Sequence, residues 1–255
     1  MTPKSPLILI TNDDGYQSRG LEQLVHIAQE FGDTVVMAPD RNSSGLSSSI
    51  TCTRPLRVRA VPEKGDNYFS CDGTPADCVK MGLEHFCPRP PDLVLSGINY
   101  GSNASINILY SGTMGAVLEA CLDGFPAIGF SVLSHSPETD FSACAPSVRH
   151  IISKTLEQPL PQGTALNVNI PRLPADQIKG IHICHQAHAS WVDSLEKRTD
   201  PIGRPYWWMT GKFVCPNPNE QSDEYALAHG YVSVVPVRPD FTDYAAIDKI
   251  QHLSL

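Results

Sequence analysis

Residues 7–15, Leu7-Ile8-Leu9-Ile10-Thr11-Asn12-Asp13-Asp14-Gly15, decide the fold of this chain. Four apolar residues without alternation predict a short strand that is buried on both faces. The strand ends at two adjacent carboxylates and a glycine. In an open parallel sheet, ligands bind just outside the carboxyl ends of the strands. Because neighbouring acids repel each other unless positive charge lies between them, Asp13 and Asp14 indicate a divalent-metal site. A turn or a helix cap is the alternative for either acid taken alone.

Composition bounds the architecture and the class of protein. At 255 residues with 41% hydrophobic side chains, the chain suits an α/β domain with a substantial core. No apolar run approaches the roughly 20 residues that span a bilayer, and residues 1–6 carry no signal-peptide core. The eight cysteines show no paired spacing, so we expect reduced thiols and a cytoplasmic protein without a membrane partner. The formal charge of −8 disfavours binding to duplex nucleic acid.

The order of predicted elements is that of a doubly wound sheet. Apolar residues at helical spacing predict a helix over 20–31, and the strand predicted over 34–38 completes a β-α-β start. The later predictions are a hairpin region over 52–70, strands over 92–99, 126–133 and 165–170, a helix over 145–156, and helices that begin at Thr74-Pro75 and after Tyr110-Ser111-Gly112-Thr113. Beyond about residue 175 we expect hairpins and an arm, with a strand over 230–237 and an amphipathic segment over 240–253.

Three predicted strand ends supply oxygen ligands to one edge of the sheet. Ser43 and Ser44 follow the second strand, and Asn99 ends the strand over 92–99. Together with Asp13 and Asp14 they form a set of hard donors, which suits Mg²⁺, Mn²⁺ or Ca²⁺ better than zinc. The sequence therefore predicts a divalent-metal site of oxygen ligands.

A candidate anion site accompanies the predicted metal site. Ser111-Gly112-Thr113 stands at a helix start, where free N–H groups and the helix dipole favour an anion. An ordinary helix cap is the alternative for Ser111 and Thr113. A metal beside an anion site suggests phosphate chemistry.

Two other clusters are weaker candidates. His182, Cys184, His185 and His188 resemble a zinc tract, but alternation along a strand separates their side chains, so we predict no zinc there. The aromatic run 206–208 could stack a nucleobase, although cross-strand packing or an interface is the more common use of such residues.

The motifs together resemble those of the SurE family, the stationary-phase survival nucleotidases. They occur in the family's order, and the resemblance covers nearly the whole chain. It implies one SurE-like domain over 1–255. Within it we expect an α/β core over 1–175, followed by hairpins and an oligomerisation arm over 176–255. The matching motifs are Asn12-Asp13-Asp14-Gly15, Ala38-Pro39-Asp40-Arg41-Asn42 with Ser44-Gly45, Gly73-Thr74-Pro75, Ser96-Gly97-Ile98-Asn99 and Tyr110-Ser111-Gly112-Thr113. One departure is Ile106-Asn107, where some relatives carry acidic residues.

The resemblance implies a phosphatase that hydrolyses nucleoside monophosphates by a metal-activated water. It implies one divalent ion per subunit, Mg²⁺ or Mn²⁺, and a catalytic role for the carboxylates and the amide. The implied metal ligands are Asp13, Asp14, Ser44 and Asn99, of which Asp13, Asp14 and Asn99 are also catalytic. The implied substrate-binding residues are Asn12, Gly45, Ser111, Gly112 and Thr113.

The resemblance also implies a Rossmann-like α/β core of three layers and a C-terminal arm that exchanges within a homodimer or homotetramer. One alternative function is a zinc-dependent deacetylase, a class that carries His-Pro-Asp-Asp after its first strand, where this chain has Thr11-Asn12-Asp13-Asp14. The other is a nucleotide-binding sensor without turnover.

Overall fold

Within residues 4–136 and 138–254, which the computed structural model describes, nine strands form one sheet and two more form a separate hairpin. The strands are β1 (Leu7–Thr11), β2 (Asp33–Pro39), β3 (Val58–Ala60), β4 (Tyr68–Cys71), β5 (Leu93–Tyr100), β6 (Ala127–Val132), β7 (Ala165–Ile170), β8 (Ile181–Ile183), β9 (Ser190–Thr199), β10 (Pro205–Val214) and β11 (Val232–Val237). The helices are α1 (Arg19–Ala28), α2 (Pro75–Met81), α3 (Gly112–Leu122), α4 (Ala145–Glu157), α5 (Asp223–Ala228) and α6 (Tyr244–Ile247).

The centre of the sheet is parallel and doubly wound. Its strand order is β3-β4-β2-β1-β5-β6-β7-β11-β8, in which the six strands from β4 to β7 run parallel. The chain moves from β1 to one side through β2 and β4, and then to the other side through β5, β6 and β7. The switch point therefore lies between the carboxyl ends of β1 and β5, where ligands bind in such sheets.

Helices cover both faces of the sheet because β1 is apolar on both sides. Ile8 and Ile10 belong to one core cluster, with the inner faces of α1 and α4. Leu7 and Leu9 belong to a second cluster, on the opposite face, with α2 and α3. All four side chains are buried. This confirms the predicted three-layer α/β fold.

Helix α1 approaches β5 closely beside the switch point. At Gly20, an added Cβ would lie 2.0 Å from the carbonyl oxygen of Ile98, so a side chain here would displace the end of β5. The helix predicted over 20–31 ends earlier, at Ala28, because the next turn is tightened by hydrogen bonds between residues three apart. The fit of α1 against β5 therefore fixes the strand end that carries Asn99.

Residues beyond 175 divide between the main sheet and a projecting hairpin. Strand β11 pairs antiparallel with β7, and β8 pairs with β11. Strands β9 and β10 form a two-stranded antiparallel hairpin, residues 190–214, which we call the arm hairpin. Most of its apolar side chains are exposed, with Met209 at 78% exposure, whereas Phe213 is partly buried. The division of the chain at residue 175 stays a prediction, although β8 and β11 join the sheet from beyond it.

The segment predicted over 240–253 begins with the short helix α6 and continues as a 3₁₀ turn, Asp248–Leu253. Phe241, Tyr244 and Leu253 project large hydrophobic side chains into solvent. In the part of the chain that the structure describes, every helix is too short or too polar to cross a membrane.

Candidate active site

Asp13 and Asp14 follow β1 after one intervening residue, Asn12, at the carboxyl edge of the parallel strands and beside the switch point. Asp13 is 3% exposed, and Asp14 is partly exposed. Gly15 turns the chain away with φ +101°, and an added Cβ there would lie 3.3 Å from the carbonyl carbon of Arg41. The turn therefore packs the two acids against the loop that follows β2.

Asp13 is held by the start of α3 and by that loop. Its Oδ1 accepts a hydrogen bond of 2.6 Å from the Thr113 hydroxyl. The main-chain N–H groups of Gly112 and Thr113 also lower the pKa of this carboxyl, and its main-chain oxygen accepts from the Ser43 N–H at 2.7 Å. An added Cβ at Gly112 would lie 2.8 Å from the Asp13 Cβ. The helix N-terminus thus supports the negative charge of Asp13.

Asp14 links the site to the end of β5. Its Oδ2 accepts a hydrogen bond of 3.4 Å from the N–H of Tyr100, the residue after Asn99. Asn99 is 7% exposed, and its Nδ2 donates to the Gly101 oxygen at 2.9 Å. This hydrogen bond turns the amide so that its Oδ1 is the atom left to contact a cation.

Burial and mutual repulsion shape the electrostatics of the two acids. Burial raises the pKa of Asp13, and the hydrogen bonds from Thr113 and the α3 backbone oppose that rise. Burial, assisted by the charge of Asp13, raises the pKa of Asp14 to about 7. Both carboxylates are therefore costly to ionise in this position, and a positive charge between them would offset the cost.

The loop after β2 places two serines differently. Ser43 is buried, whereas Ser44 is exposed and lines a cavity together with Gly45. The Ser44 N–H donates to the Asn42 Oδ1 at 2.8 Å, which closes a tight turn, and Gly45 follows with φ +79°. Ser44, and not Ser43, thus presents its side chain on the accessible side of the loop.

A cavity of about 400 Å³ joins these segments. Asp13, Ser44, Gly45 and Asn99 line one part of it. The remaining lining residues are Tyr100, Gly101, Ser102, Asn103, Asn107, Tyr110, Ser111, Leu133, His135, Trp191, Phe213 and Glu224. The volume lies within the range of pockets that take small-molecule ligands.

The predicted substrate-binding residues make different contacts. Ser111 lines the cavity, and its hydroxyl caps α3 by accepting from the Met114 N–H at 3.0 Å. Thr113 and the Gly112 N–H are engaged with Asp13. The Asn12 side chain is fully buried and donates to the Gly15 oxygen at 3.1 Å and to the Ser18 hydroxyl. Substrate-binding roles for these residues stay predictions.

Among the cavity residues that escaped the sequence predictions are His135, Trp191, Phe213 and Glu224. Glu224 lies in the first turn of α5, and burial together with the charge of Asp223 raises its pKa to about 7. Asp223 is itself fully buried and accepts from the Ser105 N–H at 2.7 Å, which ties α5 to the loop after β5. No local motif marks these residues, because they reach the cavity from distant loops and from the arm hairpin.

The histidine-rich tract is dispersed in the structure. The His182 ring packs on Tyr231 with centroids 5.5 Å apart, whereas Cys184 is buried and donates through its thiol to the His182 oxygen. His185 contacts the Gln186 oxygen through its Nδ1. Within residues 4–136 and 138–254, no three His, Cys, Asp or Glu side chains cluster as metal ligands. The absence of zinc stays a prediction.

A family model, related sequences and a solved structure all match this chain to the same family. The family model for Survival protein SurE matches residues 8–193. The chain is 48% identical to the 5'-nucleotidase SurE of Christiangramia forsetii, across 100% of this chain and 99% of the relative. It is 47% identical to the 5'-nucleotidase SurE of Cytophaga hutchinsonii, across 96% and 95%. The crystal structure of the SurE protein from Aquifex aeolicus superposes with a TM-score of 0.86 at 38% identity, covering 97% of this chain and 99% of that one.

Asp14→Asn is expected to raise the Tm of the protein in EDTA, and to do so clearly more at pH 8 than at pH 5. Because the folded-state pKa of Asp14 is raised from 3.8 to about 7, stability is lost as pH rises through this window, and the full cost is present above pH 7. Each kcal/mol of relieved burial cost and repulsion adds about 2–4 °C to the Tm of a protein of this size. Scanning fluorimetry measures the Tm of both proteins, and a variant less stable than wild type at pH 8 contradicts the raised pKa of Asp14.

Proposed function

Because this chain belongs to the SurE family, we propose that it is a divalent-metal-dependent 5'-nucleotidase, which hydrolyses nucleoside monophosphates to nucleoside and phosphate. The observation that carries this proposal is the pair of buried Asp13 and partly exposed Asp14 beside the switch point, both with raised pKa values. Neither alternative is favoured: Thr11-Asn12 replaces the metal-binding His-Pro of the deacetylases, and the related proteins are enzymes rather than sensors.

The residues at this edge fit a hard divalent cation. Asp13, Asp14, Ser44 and Asn99 would hold it through carboxylate, hydroxyl and amide oxygens, the donor set that Mg²⁺ and Mn²⁺ prefer. We assign one ion per subunit. When bound, such an ion neutralises charge on the transferring phosphoryl group and lowers the pKa of a water.

The chain's own groups position the substrate. In the exposed loop after β2, the main-chain N–H of Gly45 would bind a phosphate oxygen, and Ser111 lines the same cavity. The hydrogen bond from Thr113 keeps the carboxylate of Asp13 in one orientation. The turn at Gly15 and the fit of α1 on β5 fix the two strand ends. Catalysis here is mainly positioning and charge stabilisation, as in other phosphoryl transfers.

The proposal is tested by phosphate release from AMP with Mg²⁺ or Mn²⁺. We expect EDTA to abolish activity, and Asp13→Asn to lower kcat/KM at least about 100-fold, the size of effect seen when a key electrostatic group is removed. Asp33→Asn, which removes an exposed acid at the opposite edge of the sheet, is the matched control and should retain activity. Near-normal rates for folded Asp13→Asn at saturating Mg²⁺ would contradict the metal role.

Ser44→Ala is expected to raise the Mg²⁺ or Mn²⁺ concentration needed for half-maximal activity more than Ser43→Ala does. Ser44 lines the cavity, whereas the buried Ser43 contributes its main-chain N–H to Asp13, a contact that alanine preserves. Activity titrated with metal for both variants measures the difference. Equal metal requirements would show that the wrong serine has been assigned.

We assign the chain to a homodimer or a homotetramer, because the arm hairpin exposes apolar side chains that a second subunit could cover. Trp207 is 53% exposed and Met209 is 78% exposed. Such a hairpin buries little against its own chain, and exchange of an element between subunits is a common route to a closed assembly. The eight free cysteines fit a reducing cytoplasm.

Light scattering of the full chain is expected to give at least twice the mass of 27.8 kDa. Trp207→Lys combined with Met209→Lys should lower the measured mass towards that of one chain, because each change places a charge on the apolar surface. Thr210→Lys, an exposed polar position on the same strand, is the control. Wild-type protein that stays monomeric at micromolar concentration would refute the assembly.

A further inference from the structure

Two aromatic side chains stand at the base of the arm hairpin, in the cavity that contains Asp13. Trp191 and Phe213 are cross-strand partners in the register of β9 and β10. Their ring centroids lie 5.6 Å apart at 63°. The aromatic run 206–208 lies nearer the tip of the hairpin, and none of its residues lines this cavity. The base of the hairpin, rather than its outer part, thus brings aromatic surface to the site.

The Trp191 ring is fixed in place and yet half-exposed. Its Nε1 donates a hydrogen bond of 2.8 Å to the Oδ1 of Asn107, in the 3₁₀ turn Ser105–Leu109. The side chain keeps 44% exposure, so one ring face remains available. An anchored aromatic ring loses little further freedom when a ligand stacks on it. Core packing does not explain such a ring, because a core tryptophan would be covered.

From this arrangement we infer that Trp191, oriented by Asn107 and backed by Phe213, forms the nucleobase subsite of the cavity. This inference rests on the proposed 5'-nucleotidase function. The phosphate end of the cavity is formed by Asp13 and Ser44, and the aromatic end accepts the planar face of the base. Stacking is tolerant of base identity, since every base has a π face. Trp191 is therefore a binding residue that separates nucleotides from other phosphate monoesters.

Asn107 fixes the position of the Trp191 ring in this subsite. Its amide oxygen accepts a hydrogen bond of 2.8 Å from the indole N–H. This bond also connects the turn Ser105–Leu109 to the base of the hairpin. The neighbouring Ser105 N–H is tied to Asp223 at 2.7 Å, so the turn is held from two sides. The hydrogen bond to Asn107 therefore orients the ring before any ligand binds.

Steady-state kinetics with two substrates test the subsite. Trp191→Ala should raise the KM for AMP by about 5- to 150-fold, the range that the loss of one stacked base predicts, with little change in kcat. The KM for ribose 5-phosphate, which lacks a base, should stay unchanged. Trp191→Phe should restore most of the affinity. Trp208→Ala, at an exposed position of the same hairpin outside the cavity, is the control.

Fluorescence gives a readout that does not need turnover. The chain has three tryptophans, so Trp207→Phe with Trp208→Phe leaves Trp191 as the sole emitter. AMP and adenosine should quench that emission, and ribose 5-phosphate should not. Asn107→Ala in the same background should weaken the quenching by freeing the ring.

The outcomes separate the two proposals. If an active enzyme shows the same KM for AMP in Trp191→Ala and Trp208→Ala, the subsite is overturned. If adenosine leaves the Trp191 emission unchanged at millimolar concentration, it is overturned as well. Quenching by adenosine in a protein that releases no phosphate from AMP supports the subsite and contradicts the 5'-nucleotidase function.

Discussion

The burial of two adjacent carboxylates at the end of one strand, with repulsion between them as a second cost, is the constraint on which the site depends. Burial raises the pKa of both Asp13 and Asp14. The start of α3 partly compensates Asp13, because the N-terminal N–H groups of a helix favour negative charge. A hard divalent cation would neutralise the remaining negative charge, and Ser44 and Asn99 would add neutral oxygen ligands. The two carboxylates lower the stability of the metal-free protein, and a bound cation would restore it. The same cation would supply the positive charge that phosphate chemistry needs.

The loop that completes the site is held by buried polar contacts rather than by apolar packing. Asn169 accepts the Asn103 N–H at 2.8 Å, and the Asn103 side chain donates to the Ser131 hydroxyl at 2.8 Å. Farther along the loop, the Ser105 N–H donates to the fully buried Asp223. Such satisfied networks are costly to break, because each lost partner leaves a buried polar group unpaired. They fix the path of the chain between Asn99 and the start of α3.

The strands and helices near Asp13 could be predicted from local sequence patterns. The side of the cavity formed by Trp191 and Glu224 could not. The apolar run before Asp13 and the helical spacing after it indicate a β-α-β unit, and the switch point then brings Asn99 to the same edge. Trp191 and Glu224 reach the cavity through pairings between segments distant in sequence, which periodicity does not encode. The same limit applies to β11, whose place in the sheet is set by pairing with β7, and to β8, which pairs with β11. The contact of Thr113 with Asp13 joins residues 100 positions apart, so local sequence could not predict that this side chain supports a carboxylate; its substrate-binding role stays a prediction.

Calorimetric titration of Mn²⁺ into the metal-free protein tests the central claim most directly, because it measures the cation and the carboxylate pair without any substrate. Wild-type protein should bind one ion per chain at this site, and Asp13→Asn should lose that binding while keeping the wild-type circular dichroism spectrum. Binding of Mn²⁺ to Asp13→Asn with the wild-type stoichiometry and affinity would contradict the assignment of the two carboxylates as a metal site.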